Sequence, residues 1–276
     1  MKEKLVSREE IRPLHPIFRG KQGDRWIDFG MKLSGINKVN ALYDASKHLT
    51  GPAFCSDILD QMGVIRTVRN GDLLVQYENE PFITVSNHPY GHLDGLSLIE
   101  TVASRLPHFK VLVNVVLSLI DTMNDNFISV NPYSFSTKKH ISFNGLRESL
   151  SHLKNGHPIG FFPAGAVTNL YLKHGRWVYE DREWQPSVMR IIQKTKKTVI
   201  PIHISGGNSF LFYALRMFGW KARNLRLCHE MTNKQGHEVV LTVGEPLSPS
   251  LLKTYPDPVE LGAFLKKTTY ALGDRS

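Results

Sequence analysis

Six short apolar runs, near residues 73–77, 81–86, 110–116, 158–162, 198–204 and 238–243, alternate with stretches whose apolar residues recur at helical spacing. Those helical stretches lie near 95–105, 142–154, 185–196 and 258–272. Strands that alternate with helices pack as layers, so the pattern predicts an α/β fold. With 276 residues, 41% of them hydrophobic, the chain can bury a full core. Helical patterns at 27–48 and 53–63 precede every expected strand. They predict an N-terminal helical pair, packed beside the sheet or serving as a platform on a membrane. There is no internal repeat and no low-complexity linker, so one domain with a helical extension is the simplest organisation.

One junction in this alternation carries chemistry. In SNHPYGHLDGLSL, residues 86 to 98, the apolar run Pro81–Val85 ends just before His88, and Asp94 stands where a helical pattern begins. A neutral imidazole held by a carboxylate on one ring nitrogen can take a proton from a hydroxyl or amine with the other. Asp94 is equally a good N-cap for the following helix. Capping leaves Asn87, His88 and Pro89 unexplained, together with Gly91 and Gly95, which allow a loop tight enough for two side chains to meet. His88, His92 and Asp94 could be read as metal ligands. Pro89 and Gly91 interrupt the continuous helix that paired histidines four apart need, and no metal is expected.

Two further stretches matter. Ile159 to Phe162 ends in Pro163, Ala164 and Gly165, which predicts a buried strand stopping in a tight turn. Backbone N–H groups at such a turn can stabilise an oxyanion, although an ordinary strand-to-loop turn would look the same. In NSFLFYALRMFGW, 208 to 220, Phe210, Phe212, Phe218 and Trp220 run directly into Lys221, Arg223 and Arg226. That combination suits an interfacial helix dipping into anionic lipid, and also the entry of an acyl chain; a packed core helix is the other reading.

Taken in order, SNHPYGHLDGL, the weaker Phe127-Ile128-Ser129-Val130-Asn131-Pro132, FFPAGAVTN at 161–169 and VIPIHISGG at 199–207 resemble the four blocks of the lysophospholipid acyltransferase superfamily, the PlsC-like glycerolipid acyltransferases. The resemblance covers about residues 60 to 250. It implies a mixed, largely parallel sheet flanked by helices, a glycerol-3-phosphate acyltransferase-like fold. Residues 1–65 would then form the helical extension and 66–276 the α/β acyltransferase domain. Five residues separate His88 from Asp94 where the family usually has four, which resembles the branch that makes ornithine or glycine lipids. LCHEMTNKQGHEVVLTVGEPL, 227 to 247, resembles the closing segment of that branch.

Where the family has Pro-Glu-Gly-Thr-Arg, this chain has Pro163-Ala164-Gly165-Ala166-Val167. In the family that arginine helps hold an acceptor phosphate, and no neutral side chain replaces its fork. A phosphate-free, amino-acid-type acceptor is therefore expected, with Lys138, Lys139 and Arg147 as residual sources of charge. The resemblance implies transfer of a fatty acyl group from an acyl carrier protein or coenzyme A thioester to the hydroxyl or amine of a lipid precursor. His88 would be the general base, Asp94 its orienting partner, and the backbone at Pro163 to Gly165 the oxyanion site. No bound cofactor is expected. The alternatives are a lysophosphatidate-type acyltransferase and a non-catalytic, peripheral lipid-binding protein of the same fold. A hydrolase would need a nucleophile, and the sequence has no Gly-x-Ser-x-Gly elbow.

The charge of +9, from 34 Lys and Arg against 25 Asp and Glu, suits an anionic membrane or an acidic carrier protein. It is also compatible with a generic basic surface. Nucleic acid is not expected, because no binding motif accompanies the charge. The N-terminus is charged throughout, unlike a signal peptide, and VLVNVVLSLI at 111–120 falls short of the ~20 residues that span a bilayer. Cys55 and Cys228 have no metal-type spacing and fit a reducing compartment. The expected location is cytoplasmic, peripheral on the inner face of the cytoplasmic membrane.

Overall fold

A computed structural model of the protein describes residues 3–114, 117, 120–130, 143–173 and 175–273, the side chains of 143, 144 and 220–222 excepted. The chain opens with a one-turn helix α1 (Arg8–Ile11), followed by α2 (Gly20–Ser34), α3 (Ile36–Ser46) and α4 (Gly51–Gln61). The helix expected over 27–48 is therefore two helices. Gly35, at φ +84°, ends α2 in a left-handed cap, and a Cβ there would meet the His229 backbone at 2.9 Å.

Next come β1 (Ile65–Arg69), the short α5 (Asp72–Val75), β2 (Phe82–Ser86), α6 (His92–Ala103), β3 (Lys110–Asn114) and β4 (Phe127–Val130). The strand expected at 73–77 is α5 and its exit turn. Its apolar residues Leu73, Leu74 and Tyr77 keep helical spacing, and Leu74 is buried in the core. The strand itself lies upstream at β1, an edge strand whose polar composition hid it. The remainder is α7 (Phe143–Lys154), β5 (Ile159–Phe161), β6 (Asn169–Lys173), β7 (Arg176–Glu180), α8 (Pro186–Thr195), β8 (Thr198–Ile204), α9 (Phe210–Ala214), α10 (Trp220–Met231), β9 (Glu238–Val243), α11 (Pro249–Leu252) and α12 (Pro258–Tyr270).

Seven strands form one sheet in the order β1-β9-β8-β2-β5-β3-β4. Every pair is parallel except β8 with β9, as the α/β reading with a largely parallel sheet requires. β6 and β7 form a separate antiparallel hairpin. Central parallel strands are covered on both faces and read as continuous apolar runs, which is why β2, β5 and β8 were visible in the sequence. On one face, Phe82, Ile200 and Ile202 pack with Phe54, Ile58 and Leu59 of α4 and Leu98 and Val102 of α6. On the other, Ile83, Val85, Ile159 and Phe161 pack with Val188 and Ile192 of α8 and Leu261 and Leu265 of α12.

β8, β2 and β5 are neighbours and run the same way, so their carboxyl ends reach one edge of the sheet together. Open α/β sheets place their ligand crevices at that edge. Beyond the last β2 residue, Asn87 extends the ladder with its side chain: Nδ2 donates to Ile204 O at 2.8 Å and Oδ1 accepts from Ile204 N at 2.7 Å. Asn87→Ala would leave a buried N–H and a buried C=O without partners. Urea denaturation should show a loss of about 2 to 4 kcal/mol with an unchanged slope.

Candidate active site

His88 follows the end of β2, and its ring stacks on Phe162, which follows the end of β5, at 4.3 Å between centroids and 27° between planes. Nδ1 lies 2.9 Å from Oδ2 of Asp94, a fully buried carboxylate. The approach is short without being an aligned hydrogen bond. With Nδ1 turned to Asp94, Nε2 is the ring nitrogen away from that carboxylate. Asp94 is the third residue of α6 rather than its N-cap, a position taken by Gly91 at φ +94°. Its Oδ2 accepts from the N–H groups of Tyr90, 2.9 Å, and Gly91, 2.8 Å. The N-cap reading of Asp94 is thus corrected: from the third position of the helix its carboxylate reaches back to the Gly91 N–H while it faces the histidine.

The loop carrying His88 has its backbone polar groups bonded almost throughout, as a buried loop must. His88 N donates to Asp181 Oδ1 at 3.4 Å, and His88 O accepts from Thr168 N at 2.8 Å. Asn208, past the end of β8, donates Nδ2 to Pro89 O and Tyr90 O at 3.3 and 3.2 Å. Asp181 is buried and also accepts from Thr168 Oγ1, 2.5 Å, and Trp184 Nε1, 3.0 Å. Burial pushes its carboxyl up, against the pull of those donors and of His88. His92, the first residue of α6, is pushed down to about 4 by burial and by the nearby His88, so it stays neutral near pH 7.

The turn after β5 places Pro163, Ala164 and Gly165 beside this loop. Pro163 has no N–H, and Gly165, at φ +58°, donates its own to Phe162 O at 2.9 Å. The oxyanion expectation therefore narrows to the amide of Ala164. Arg182 braces the turn, donating Nε to Ala164 O at 2.6 Å and Nη2 to Gly165 O at 3.0 Å. Of the other expected sources of charge, Lys138 and Lys139 lie outside the described residues. Arg147 is exposed on α7.

The expected aromatic face divides. Phe210 and Phe218 are 68% and 81% exposed, but Phe212 is buried, with the Arg223 guanidinium 4.7 Å from its ring centroid. Residues two apart on a helix point to opposite sides, so Phe210 and Phe212 cannot share a surface. Phe212 is corrected from membrane contact to core. Trp220 is the first residue of α10, and its side chain lies outside those described. Among the described residues no helix is long and apolar enough to cross a membrane.

Residues 36–275 match the protein family described as Acyltransferase. The chain belongs to this family. Lyso-glycine lipid O-acyltransferase of Phocaeicola vulgatus is 26% identical to this acyltransferase over 246 residues, 86% of this chain and 83% of that one. The protein of the same name from Bacteroides thetaiotaomicron is 24% identical over 257 residues, 89% of each. In fold the acyltransferase resembles the crystal structure of 1-acyl-sn-glycerophosphate (LPA) acyltransferase, PlsC, from Thermotoga maritima, with a TM-score of 0.52. That likeness covers 91% of this chain and 88% of that one at 17% identity.

Several residues that shape the acyltransferase site carried no sequence signal. Asp181 and Arg182 follow a hairpin that showed neither strong alternation nor a turn pair, and Asn208 adjoins the fourth block without standing out. Glu230 in α10 is fully buried; it accepts from Ser209 N and Oγ at 2.8 and 2.6 Å, from Lys234 Nζ at 3.1 Å and from Arg226 Nε at 3.2 Å. This network ties the loop after β8 to α10. Burial opposes ionisation of Glu230, but the Ser209 bonds and the Lys234 ammonium outweigh it and hold the carboxyl down at about 2. A depressed folded pKa contributes stability that is complete above the unfolded value, near 4.5, and is lost as pH falls through about 2. Glu230→Gln should remove up to about 3 kcal/mol at pH 7 and flatten the acid side of the stability curve between those values. Thermal melts from pH 2 to 7 read both effects.

Proposed function

We propose that this enzyme acylates the hydroxyl of a lyso-aminolipid, taking the acyl group from an acyl carrier protein or coenzyme A thioester. The carrying observation is the His88–Asp94 pair, on an edge where the loops after β2, β5 and β8 converge. The acceptor class draws on the two relatives named for lyso-glycine lipid and on Val167 in the place of a phosphate-binding arginine.

In this reading the acceptor hydroxyl attacks the thioester carbonyl carbon as its proton passes to Nε2 of His88. Asp94 fixes the tautomer and stabilises the imidazolium, as the buried carboxylate does in hydrolase triads. The backbone of the Pro163–Gly165 turn, through the amide of Ala164, would stabilise the tetrahedral oxyanion. Its collapse expels the thiolate, which takes the proton back from His88 and leaves as a thiol. The ester forms in one transfer, without an acyl-enzyme. A side-by-side panel with one donor should give higher kcat/KM for lyso-glycine lipid than for lysophosphatidate or glycerol 3-phosphate. His88→Ala should lower the rate at least ~1,000-fold, and Asp94→Asn should lower it severely, in proteins that melt normally. Near-normal turnover by folded His88→Ala would sink the catalytic assignment, and a preference for lysophosphatidate would sink the acceptor.

The same reading places the enzyme on the inner face of the cytoplasmic membrane, as a peripheral protein. Phe210, Met217 and Phe218 are exposed, and Trp177 of the β6–β7 hairpin packs edge-on against Phe210 at 6.4 Å. Lys173, Arg176 and Arg216 belong to the same segments. α2, which packs against α10, adds an exposed stripe of Trp26, Phe29 and Leu33 opposite its buried Ile27 and Met31. Apolar residues among cations suit anionic lipid. Replacing Phe210, Met217 and Phe218 together by serine should weaken binding to anionic vesicles about tenfold or more while leaving the melting temperature unchanged. Sedimentation with vesicles at low and high salt measures it, and unchanged binding would move the interface to α2.

A further inference from the structure

Arg223 of α10 stands against the segment that supports the His88 loop. Its Nη2 donates to Val167 O at 2.7 Å and Thr168 O at 3.4 Å, and its Nη1 donates to the Asn169 side chain. Thr168 N in turn donates to His88 O. The guanidinium lies over the Phe212 ring, and its Nε is buried without a hydrogen-bond partner. Among the described residues no carboxylate pairs with it. The charged side chains that act on it are Arg216 and Arg182, both cationic, and burial with Arg216 and Arg182 pushes its pKa down against the pull of Tyr213 and Tyr171. A half-buried cation beside two more is costly until an anion arrives.

Thr168 joins the arginine to the His88 loop, its O accepting from Arg223 Nη2 and its N donating to His88 O, and Tyr213 Oη accepts from Asn208 N, whose side chain bonds Pro89 O and Tyr90 O of the same loop. The bonded Val167 stands where the family resemblance implies an arginine, so a guanidinium from α10 reaches the loop that lacks one. We propose that Arg223, with Arg216 on its exposed side, binds the free carboxylate of the acceptor's amino-acid head group while the acceptor hydroxyl sits at His88. Nη1 keeps one N–H beyond its bond to Asn169, and an amino acid acylated on its nitrogen keeps a carboxylate that can accept from it, with Arg216 as a second guanidinium. The inference rests on the proposed acceptor class, but it concerns binding and not turnover.

Its test therefore uses N-dodecanoylglycine, which has no hydroxyl to acylate, beside its methyl ester and dodecyl phosphate, with binding followed by calorimetry below their micellar concentrations. The acid should bind at least ~10-fold more tightly than the ester to the wild-type enzyme and equally so to His88→Ala. Arg223→Gln should erase the preference, and Arg223→Lys should keep part of it. Equal binding of acid and ester to the wild type overturns the proposal without any variant. So does a preference that survives in folded Arg223→Gln, and tighter binding of dodecyl phosphate than of the acid overturns the carboxylate assignment. If acylglycine binds as expected while lyso-glycine lipid is not acylated, the catalytic reading falls and the carboxylate site stands.

Discussion

Three parallel neighbours, β8, β2 and β5, impose the constraint on which the site depends. Because they run in the same direction, His88, the Pro163–Gly165 turn and the Asn208 loop emerge at one edge, although they lie far apart in sequence. Asn87 then fixes the spacing of two of those ends by bonding the Ile204 backbone through both atoms of its amide. Parallel pairing alone would leave the strand ends to diverge with the twist of the sheet. With the stitch in place, His88 enters its loop from a defined point.

Charge is handled differently on the two sides of the site. Buried Asp94 and Asp181 are surrounded by backbone and side-chain donors, so the loop between them is held by acceptors that cannot move away. The cations are less completely matched. Arg182 spends its donors on the carbonyls of Ala164 and Gly165, and Arg223 spends its donors on Val167, Thr168 and Asn169. Carbonyl oxygens solvate a guanidinium but do not cancel its charge. The edge therefore keeps two guanidiniums that no carboxylate among the described residues contacts directly, beside two carboxylates held by neutral donors.

The legible parts of the sequence were those with one dominant period. Strands β2, β5 and β8 were visible because both faces are covered and most of their residues are apolar, and α8 and α12 because their buried residues keep helical spacing. β1 was missed because an edge strand with exposed Arg69 and Ile65 has no apolar pattern to show. The β6–β7 hairpin was missed for a related reason: its apolar residues Leu172 and Trp177 face outward, opposite the usual logic of burial. His88 and Asp94 could be found because both lie on one loop. Asp181 and Asn208 reach the same loop from later segments of the chain, and Arg223 reaches the segment beside it; only the folded topology brings them there.

The antiparallel pairing of β8 with β9 has an evolutionary consequence. β9 enters the sheet at the same edge where β8 leaves it, so residues 205–237, including α9 and α10, form an excursion that starts and ends beside the site. Such a loop crosses neither face of the sheet and needs no crossover helix of fixed length. Lengthening, shortening or rewriting it leaves the strand order intact. Beyond Asn208, which bonds the His88 loop, changes in this excursion can reshape the surface beside the site while the histidine and its carboxylate stay anchored to β2, the neighbour of β8.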